Sequence, residues 1–169
     1  MQSLKERVEV EPSIISPGHQ DKEKIIGILS AELSPKYLSE MTEELEKVIN
    51  GNEIGFMAFD VVNKKAVGYI TCVKTTKTYK LETMAVDHNT QGKGIGKKLV
   101  SHLEEYLQQN VLENLIVLNV VTDNSADDPV QNFYKRCGFS VSGIVRNEYA
   151  LGDEQVHLSK ILSKKINTY

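Results

Sequence analysis

Residues 81–98 read LETMAVDHNTQGKGIGKK, which predicts a strand, a glycine-rich turn and the first turn of a helix. Gly92, Gly94 and Gly96 alternate with two larger residues, so few side chains shield the backbone N–H groups of the turn. The first N–H groups of a helix have no partner within it, and the helix dipole places partial positive charge beside them. We therefore expect this turn to bind an anion such as a phosphate group.

The composition favours one globular domain. The chain has 169 residues, of which 40% are hydrophobic, and a net charge of −3. We expect a single domain over residues 1–169, with its core at about 8–162 and tails at 1–7 and 163–169. The slightly acidic charge argues against general nucleic-acid binding, and no apolar run approaches the ~18–20 residues of a membrane span.

The N-terminus and the cysteines bear on location. Residues 1–7 hold no apolar segment of the kind that a signal peptide needs. Cys72 and Cys137 lack metal-ligand spacing, and two reduced thiols in core positions are the simplest interpretation. These features predict a cytoplasmic protein without a metal site, and they leave a homodimer open.

The spacing of apolar residues predicts alternating helices and strands. Helices are expected at 19–33, 35–49, 95–107 and in a short segment where Asp128 is the N-cap and Pro129 the first residue. Strands are expected at 8–15, 54–60, 66–73, 79–86, 115–121, 139–145 and 155–162. The apolar run at 115–121 indicates a central strand buried on both faces. The helix that joins it to 79–86 predicts that these two strands are parallel.

Two better-known phosphate motifs do not fit the turn. A P-loop needs four residues between its glycines and then Lys-Ser/Thr, whereas Gly92 and Gly96 have three between them and Lys97 precedes Lys98. A dinucleotide fingerprint needs Gly-x-Gly-x-x-Gly, and neither Gly92 nor Gly94 starts one. A turn that uses glycine only for tight packing is the remaining alternative.

Two motifs together resemble the GCN5-related N-acetyltransferase (GNAT) family. Gln91, Gly94 and Gly96 fill its Gln/Arg-x-x-Gly-x-Gly/Ala signature, and residues 133–139, FYKRCGF, fill its Leu/Phe-Tyr-x-x-x-Gly-Phe signature. The order of predicted elements also fits the family from about residue 8 to 162. The resemblance implies an α/β (α+β) fold with a mixed, mostly antiparallel sheet of six to seven strands and about four helices on its two faces.

The resemblance also implies acetyl transfer from acetyl-coenzyme A to a primary amine of a small molecule or peptide, by direct attack. In the family, the diphosphate lies on the glycine turn and the pantetheine arm runs along the preceding strand. The implied cofactor contacts are Met84, Ala85, Val86, Gln91, Gly92, Lys93, Gly94, Ile95, Gly96 and Lys97. The N–H group of Met84 would face the thioester carbonyl and stabilise the negative charge that develops there.

Two side chains are candidates for the proton transfers. Strand alternation predicts that Glu82 shares a face with Met84, which makes Glu82 the candidate base. The family often has its basic glutamate two residues earlier, where this chain has Lys80. The signature tyrosine, Tyr134, is implied as the acid for the leaving thiolate and as a cofactor contact. A solvent-facing Glu82 and a packing Tyr134 are the alternatives.

The family's asparagine contact to the pantetheine and the acceptor both stay open. The asparagine usually lies seven residues before the tyrosine, where this chain has Asp127, while Asn124 lies ten before it. Acidic residues in the late loops could attract a cationic amine, or could simply be solvated. A non-catalytic acyl-coenzyme A sensor on the same fold is the alternative function.

Overall fold

The computed structural model describes residues 11–123 and 128–163, which form four α-helices and seven strands in the predicted order. The helices are α1 (Lys22–Glu32), α2 (Leu38–Ile49), α3 (Ile95–Asn110) and α4 (Pro129–Arg136). The strands are β1 (Ser13–Ile15), β2 (Ile54–Asp60), β3 (Lys65–Lys74), β4 (Tyr79–Val86), β5 (Leu115–Asp123), β6 (Ser140–Arg146) and β7 (Glu154–Ser163).

Most predicted boundaries are confirmed to within a few residues. The predicted ranges of β2 and β4 agree with the structure at both ends. The helices predicted from residues 19 and 35 each begin with a single 3₁₀ turn, at His19–Asp21 and Pro35–Tyr37, before the α-helix. Of the strand predicted at 8–15, the structure shows the last three residues, and residues 8–10 lie outside the described ranges.

The strands form one sheet in the order β1-β2-β3-β4-β5-β7-β6. Every neighbouring pair is antiparallel except β4 and β5, which are parallel, as the helix between them predicts. The mixed sheet with helices on its faces confirms the predicted fold class.

Two apolar layers enclose the sheet. On one face, α3 buries Leu99, Leu103 and Leu107 against β2 to β5, and Tyr134 of α4 joins the same layer. On the other face, α1 and α2 pack on β2, β3 and β4, with Leu29 and other apolar side chains fully buried. Helices therefore cover β3 and β4 from both sides and hold these two strands in place.

The burial predicted for β5 is wrong for one of its faces. Ile116, Leu118 and Val120 are buried under α3, whereas Val117 and Asn119 on the opposite face are only partly buried. The reason is that α1 packs mainly on β3 and β4, and α2 mainly on β2 and β3, rather than on β5. The strand is central in the sheet as predicted, but its second face is not sealed.

Candidate active site

The glycine turn before α3 has the conformation that the sequence demands. Gly92 and Gly94 have φ angles of +77° and +80°, in the left-handed region that only glycine enters without strain. Open space surrounds both positions where a side chain would begin. Gly94 is the N-cap of α3, and the N–H of Lys98 is the first to bond back to it, at 3.0 Å. The preceding N–H groups of α3 are therefore available to an anion.

Gly96 has a different role from the other two glycines. A Cβ atom there would lie 3.2 Å from the ring of Phe133 and 3.7 Å from a methyl group of Val86. The missing side chain lets the start of α3 lie against α4 and the end of β4. The two sequence signatures, one on each helix, thus meet in space.

Hydrogen bonds and an ion pair from side chains stabilise the turn. Asp87 accepts a hydrogen bond from the N–H of Asn89 at 2.9 Å and pairs with Lys65 at 2.9 Å. Gln91 donates to the carbonyl of Val86 at 3.0 Å, which fixes the end of β4. The predicted signature glutamine therefore supports the backbone of the turn.

The Glu32 carboxylate of α1 anchors the turn to the rest of the fold. It accepts from the backbone N–H of His88 at 2.9 Å and contacts the ring Nδ1 at 2.8 Å. These hydrogen bonds, the backbone one first, lower the pKa of Glu32. Glu32, Asp87 and His88 bring ligand atoms within 4.8 Å of one another, but all three are engaged in these contacts.

β4 and β5 separate beside the turn. Only two residue pairs join these strands, Tyr79 with Leu118 and Lys80 with Asn119. Beyond Lys80, β5 continues to pair with β7, whereas the edge of β4 that faces β5 carries backbone groups without a strand partner. An extended ligand could add to that edge through main-chain hydrogen bonds.

A β-bulge changes the predicted faces of β4. Ile70 of β3 pairs with Met84 and Cys72 with Leu81, so two residues of β4, Glu82 and Thr83, oppose one residue of β3. Leu81 and Met84 pack on the α3 side, while Thr83 and Ala85 face α1 and α2. The prediction that Glu82 shares a face with Met84 is therefore wrong, because the bulge shifts the alternation by one residue.

Glu82 lies exposed at this bulge and has a cationic partner. Its carboxylate pairs with Lys80 at 3.0 Å, on the same side of β4. Glu148 and Tyr149, in the turn between β6 and β7, lie within electrostatic range of Lys80. Lys80 occupies the position at which the resemblance implies a base, and here it forms an ion pair with the candidate base.

Tyr134 is buried on α4, with 3% of its surface exposed. Its ring makes edge contacts with Phe133 and Phe139 at centroid distances of 5.1 and 5.5 Å. Burial raises the pKa of Tyr134, so the phenol stays protonated at neutral pH. The N-cap predicted for α4 is confirmed, because Asp128 accepts from the N–H of Val130 at 2.7 Å.

Sequence reasoning missed Thr122, near the end of β5. Its hydroxyl is buried and has no hydrogen-bond partner among the described residues. The sequence did contain a signal: Thr122 falls in the same alternation as the apolar residues Ile116, Leu118 and Val120. A hydroxyl on a buried face normally needs a hydrogen-bond partner. Nearby, Gln131 of α4 is buried and donates to the carbonyl of Asp123 at 2.8 Å.

Sequence reasoning also missed Glu44, on α2. Its Oε2 accepts a hydrogen bond from the Thr83 hydroxyl at 2.8 Å, at the bulge of β4. In the sequence, Glu44 is one of several glutamates next to the apolar stripe of an amphipathic helix. The contact joins residues 39 positions apart, and no local pattern indicates it.

The structure does not test the two candidate pantetheine contacts. Asn124 and Asp127 lie outside the described ranges, so their contacts stay predictions. Cys72 is a buried core residue whose pKa is raised by burial to about 12, and Cys137 is partly buried; both are free thiols. Several late acidic side chains are paired: Asp123 with Gln155, Glu148 with His157 and Glu154 with Arg146.

Two surface cavities are found among the described residues. One of about 410 Å³ adjoins the glycine turn and is lined by Gly94, Lys97, Lys98 and Ser101 among others. The other, of about 470 Å³, lies at the opposite end of the strands, near Glu53, Tyr79 and Tyr106.

The family model of the acetyltransferase (GNAT) family matches residues 22–139, which is more than half of the chain and includes the glycine turn and Tyr134. The chain belongs to the GNAT family. No curated protein sequence matches the chain. None of the helices within the described ranges is long and apolar enough to cross a membrane.

Solved acetyltransferase structures share the fold of this GNAT chain at low sequence identity. The ribosomal-protein-S18-alanine N-acetyltransferase from Escherichia coli is 18% identical with a TM-score of 0.73, covering 93% of this chain and 97% of its own. The aminoglycoside 6'-N-acetyltransferase from Enterococcus faecium is 16% identical with a TM-score of 0.75, covering 92% and 99%. A phosphinothricin acetyltransferase from Sinorhizobium meliloti, in complex with AcCoA, is 15% identical with a TM-score of 0.70, covering 95% and 93%.

Proposed function

We propose that the protein is an N-acetyltransferase that transfers an acetyl group from acetyl-coenzyme A to a primary amine by direct attack. The observation that carries this proposal is the opening between β4 and β5 directly beside the glycine turn. A diphosphate bound at the glycine turn would place the extended arm of the same molecule along β4, in the opening between β4 and β5. The GNAT membership and the structural neighbour with AcCoA support the choice of cofactor.

The residues at this opening fit coenzyme A. The free N–H groups at the start of α3 suit the diphosphate, and the unpaired backbone edge at Met84 and Val86 suits the amide-containing arm. The unpartnered hydroxyl of Thr122 lies near the end of β5 and would gain a partner from a polar group of the arm. Lys97 is exposed near the turn and adds positive charge.

Each chemical step has a candidate group in this chain. Acetyl-coenzyme A, when bound, supplies an activated thioester. The N–H of Met84 is assigned to the oxygen that becomes negative during attack. Tyr134 holds a proton at neutral pH that it can donate to the departing sulfur. A carboxylate at the bulge, of which Glu82 is the sequence-derived candidate, accepts a proton from the amine.

Two measurements test this function. Calorimetry with coenzyme A should show binding, and a panel of primary amines and peptides should show amine-dependent release of free coenzyme A thiol from acetyl-coenzyme A. Tight binding with no turnover on any amine would instead favour the sensor, and absence of binding would exclude both.

The Glu82→Gln variant addresses the sequence-derived base. It should bind coenzyme A as the wild type does and turn over more slowly. An unchanged rate would remove Glu82 from the mechanism without affecting the proposed function.

A further inference from the structure

The carboxylate of Glu44 is held at the bulge from the opposite side to α3 and α4. Leu45 and Val48 bury one face of α2 and so fix the helix against the sheet. Glu44 lies at the edge of that buried face and is itself partly buried. Its Oε2 accepts from the hydroxyl of Thr83 at 2.8 Å. Thr83 immediately precedes Met84, so the carboxylate lies next to the proposed reaction centre.

The charges around Glu44 favour its protonated form. Burial raises the pKa of Glu44, and the negative charges of Glu82 and Glu53 raise it further, while the Thr83 hydrogen bond and Lys47 oppose the rise. The nearby lysines have other partners: Lys80 pairs with Glu82 at 3.0 Å, and Lys47 with Glu53 at 3.3 Å. Within the described ranges, Glu44 has no lysine or arginine partner.

A second polar group on the α1 and α2 side of the sheet has no hydrogen-bond partner among the described residues. The Tyr69 side chain of β3 is fully buried, and its hydroxyl makes no hydrogen bond among the described residues. Burial raises the pKa of this phenol, and the charges of Glu44 and Glu53 raise it further. An unpartnered buried hydroxyl is unusual, and together with a carboxylate that has no cationic partner in the described part of the chain it makes this face of the sheet suited to a ligand that donates protons.

We propose that Glu44 is a catalytic base, which binds the ammonium group of the acceptor together with Glu82 and removes one of its protons. This inference rests on the proposed function. The ammonium N–H bond breaks and the proton passes to a Glu44 oxygen. The freed nitrogen lone pair then forms the C–N bond to the acetyl carbon, the C–S bond breaks, and the leaving thiolate takes the proton of Tyr134. The second proton of the nitrogen passes to the Tyr134 phenolate, which leaves a neutral amide and restores the phenol.

Glu44 fits this role better than Glu82 for two reasons. A base works best when its pKa lies near the working pH, and the surroundings of Glu44 move its pKa in that direction. The carboxylate of Glu82 is already paired with the Lys80 ammonium, so accepting a proton would break that ion pair. Glu82 then serves as a second negative charge for a cationic substrate.

The role has a consequence for stability as well as for rate. A folded-state pKa above the unfolded value means that ionisation of Glu44 opposes folding. The penalty is absent below the ordinary glutamate pKa of 4.5 and grows as pH rises through the folded value. A glutamine side chain at this position could still accept the Thr83 hydrogen bond, without the charge. Glu44→Gln should therefore raise the melting temperature at pH 7 and leave it nearly unchanged at pH 4.

The test compares Glu44→Gln with Glu43→Gln, an exposed neighbour on the same helix without an ion pair in the described ranges. With any amine that the wild type acetylates, Glu44→Gln should lower kcat/KM by about 100-fold and remove the fall in rate at low pH. Coenzyme A binding by calorimetry should not change, and Glu43→Gln should behave as wild type in every measurement.

Three outcomes overturn the inference, and they are distinguishable. An active wild type with an equally active Glu44→Gln variant removes the Glu44 role and leaves the proposed function intact. A Glu44→Gln variant that loses rate and also melts lower at pH 7 shows that the carboxylate is structural. A wild type that acetylates no amine refutes the proposed function, and the role of Glu44 with it.

Discussion

The glycine turn and the bulge of β4 lie close together along the chain, but they are assembled differently. The turn is made by consecutive residues whose backbone angles follow from their identity, as Gly92 and Gly94 show. At the bulge, Thr83 donates a hydrogen bond to the carboxylate of Glu44, which lies on a helix 39 positions earlier in the chain. The first kind of site can be recognised from a motif, whereas the second becomes visible only in the folded protein.

Gly94→Val should separate the two regions most directly, by weakening cofactor binding at the turn. A β-branched residue in the left-handed region is strained by about 1–2 kcal/mol, and the strain here falls on the N-cap of α3. We expect coenzyme A affinity, measured by calorimetry, to fall at least about tenfold, which is about 1.4 kcal/mol.

The matched control is Gly51→Val. Gly51 has a φ angle of +75° and the same open surroundings, but it lies after α2. It should lose a similar amount of thermal stability and keep its affinity for coenzyme A. Equal loss of affinity in both variants would show that the turn has no special part in binding.

Tyr134→Phe should affect the chemistry without affecting binding. Removal of a general acid costs on the order of 100-fold in rate, so kcat should fall by about that factor while calorimetry shows unchanged coenzyme A affinity. Tyr106→Phe, on α3 in ring contact with Phe56, is the control and should keep its rate. A Tyr134→Phe variant with wild-type kcat would leave Tyr134 as a packing residue.

Two threonine variants compare an unpartnered hydroxyl with a partnered one. Thr71 accepts a hydrogen bond from the N–H of Thr83 at 3.1 Å inside the bulge, whereas Thr122 has no partner among the described residues. Thr71→Val should lower the free energy of unfolding by about 1–2 kcal/mol, measured by chemical denaturation. Thr122→Val should leave it unchanged or higher and weaken coenzyme A binding by about fivefold, the value of one hydrogen bond. Full affinity in Thr122→Val would show that its hydroxyl does not contact the cofactor.

The smallest effect should come from Lys97→Ala. An exposed charge near a bound phosphate contributes a few tenths of a kcal/mol, so coenzyme A affinity should fall about twofold at low salt. The difference should disappear at high ionic strength because salt screens exposed charges. Lys77→Ala, in the exposed turn before β4, should show no change at any salt concentration. A salt-independent loss would point to a specific hydrogen bond from Lys97.

Features that depend on neighbouring residues could be predicted from the sequence. The ranges of β2 and β4 and the Asp128 cap follow from residue alternation and capping preference. The bulge at Glu82 and Thr83 could not be predicted, since neither residue is a glycine or proline that would mark an irregular strand. The open face of β5 was also missed, because a run of apolar residues does not show which helices cover the strand.

The bulge lets the two faces of β4 vary independently. Residues before and after it follow opposite alternation, so side chains toward α2 can be exchanged without moving Met84 and Val86 against the α3 side. Under the function proposed above, a strand built in this way could acquire a new acceptor preference by substitution on one surface alone.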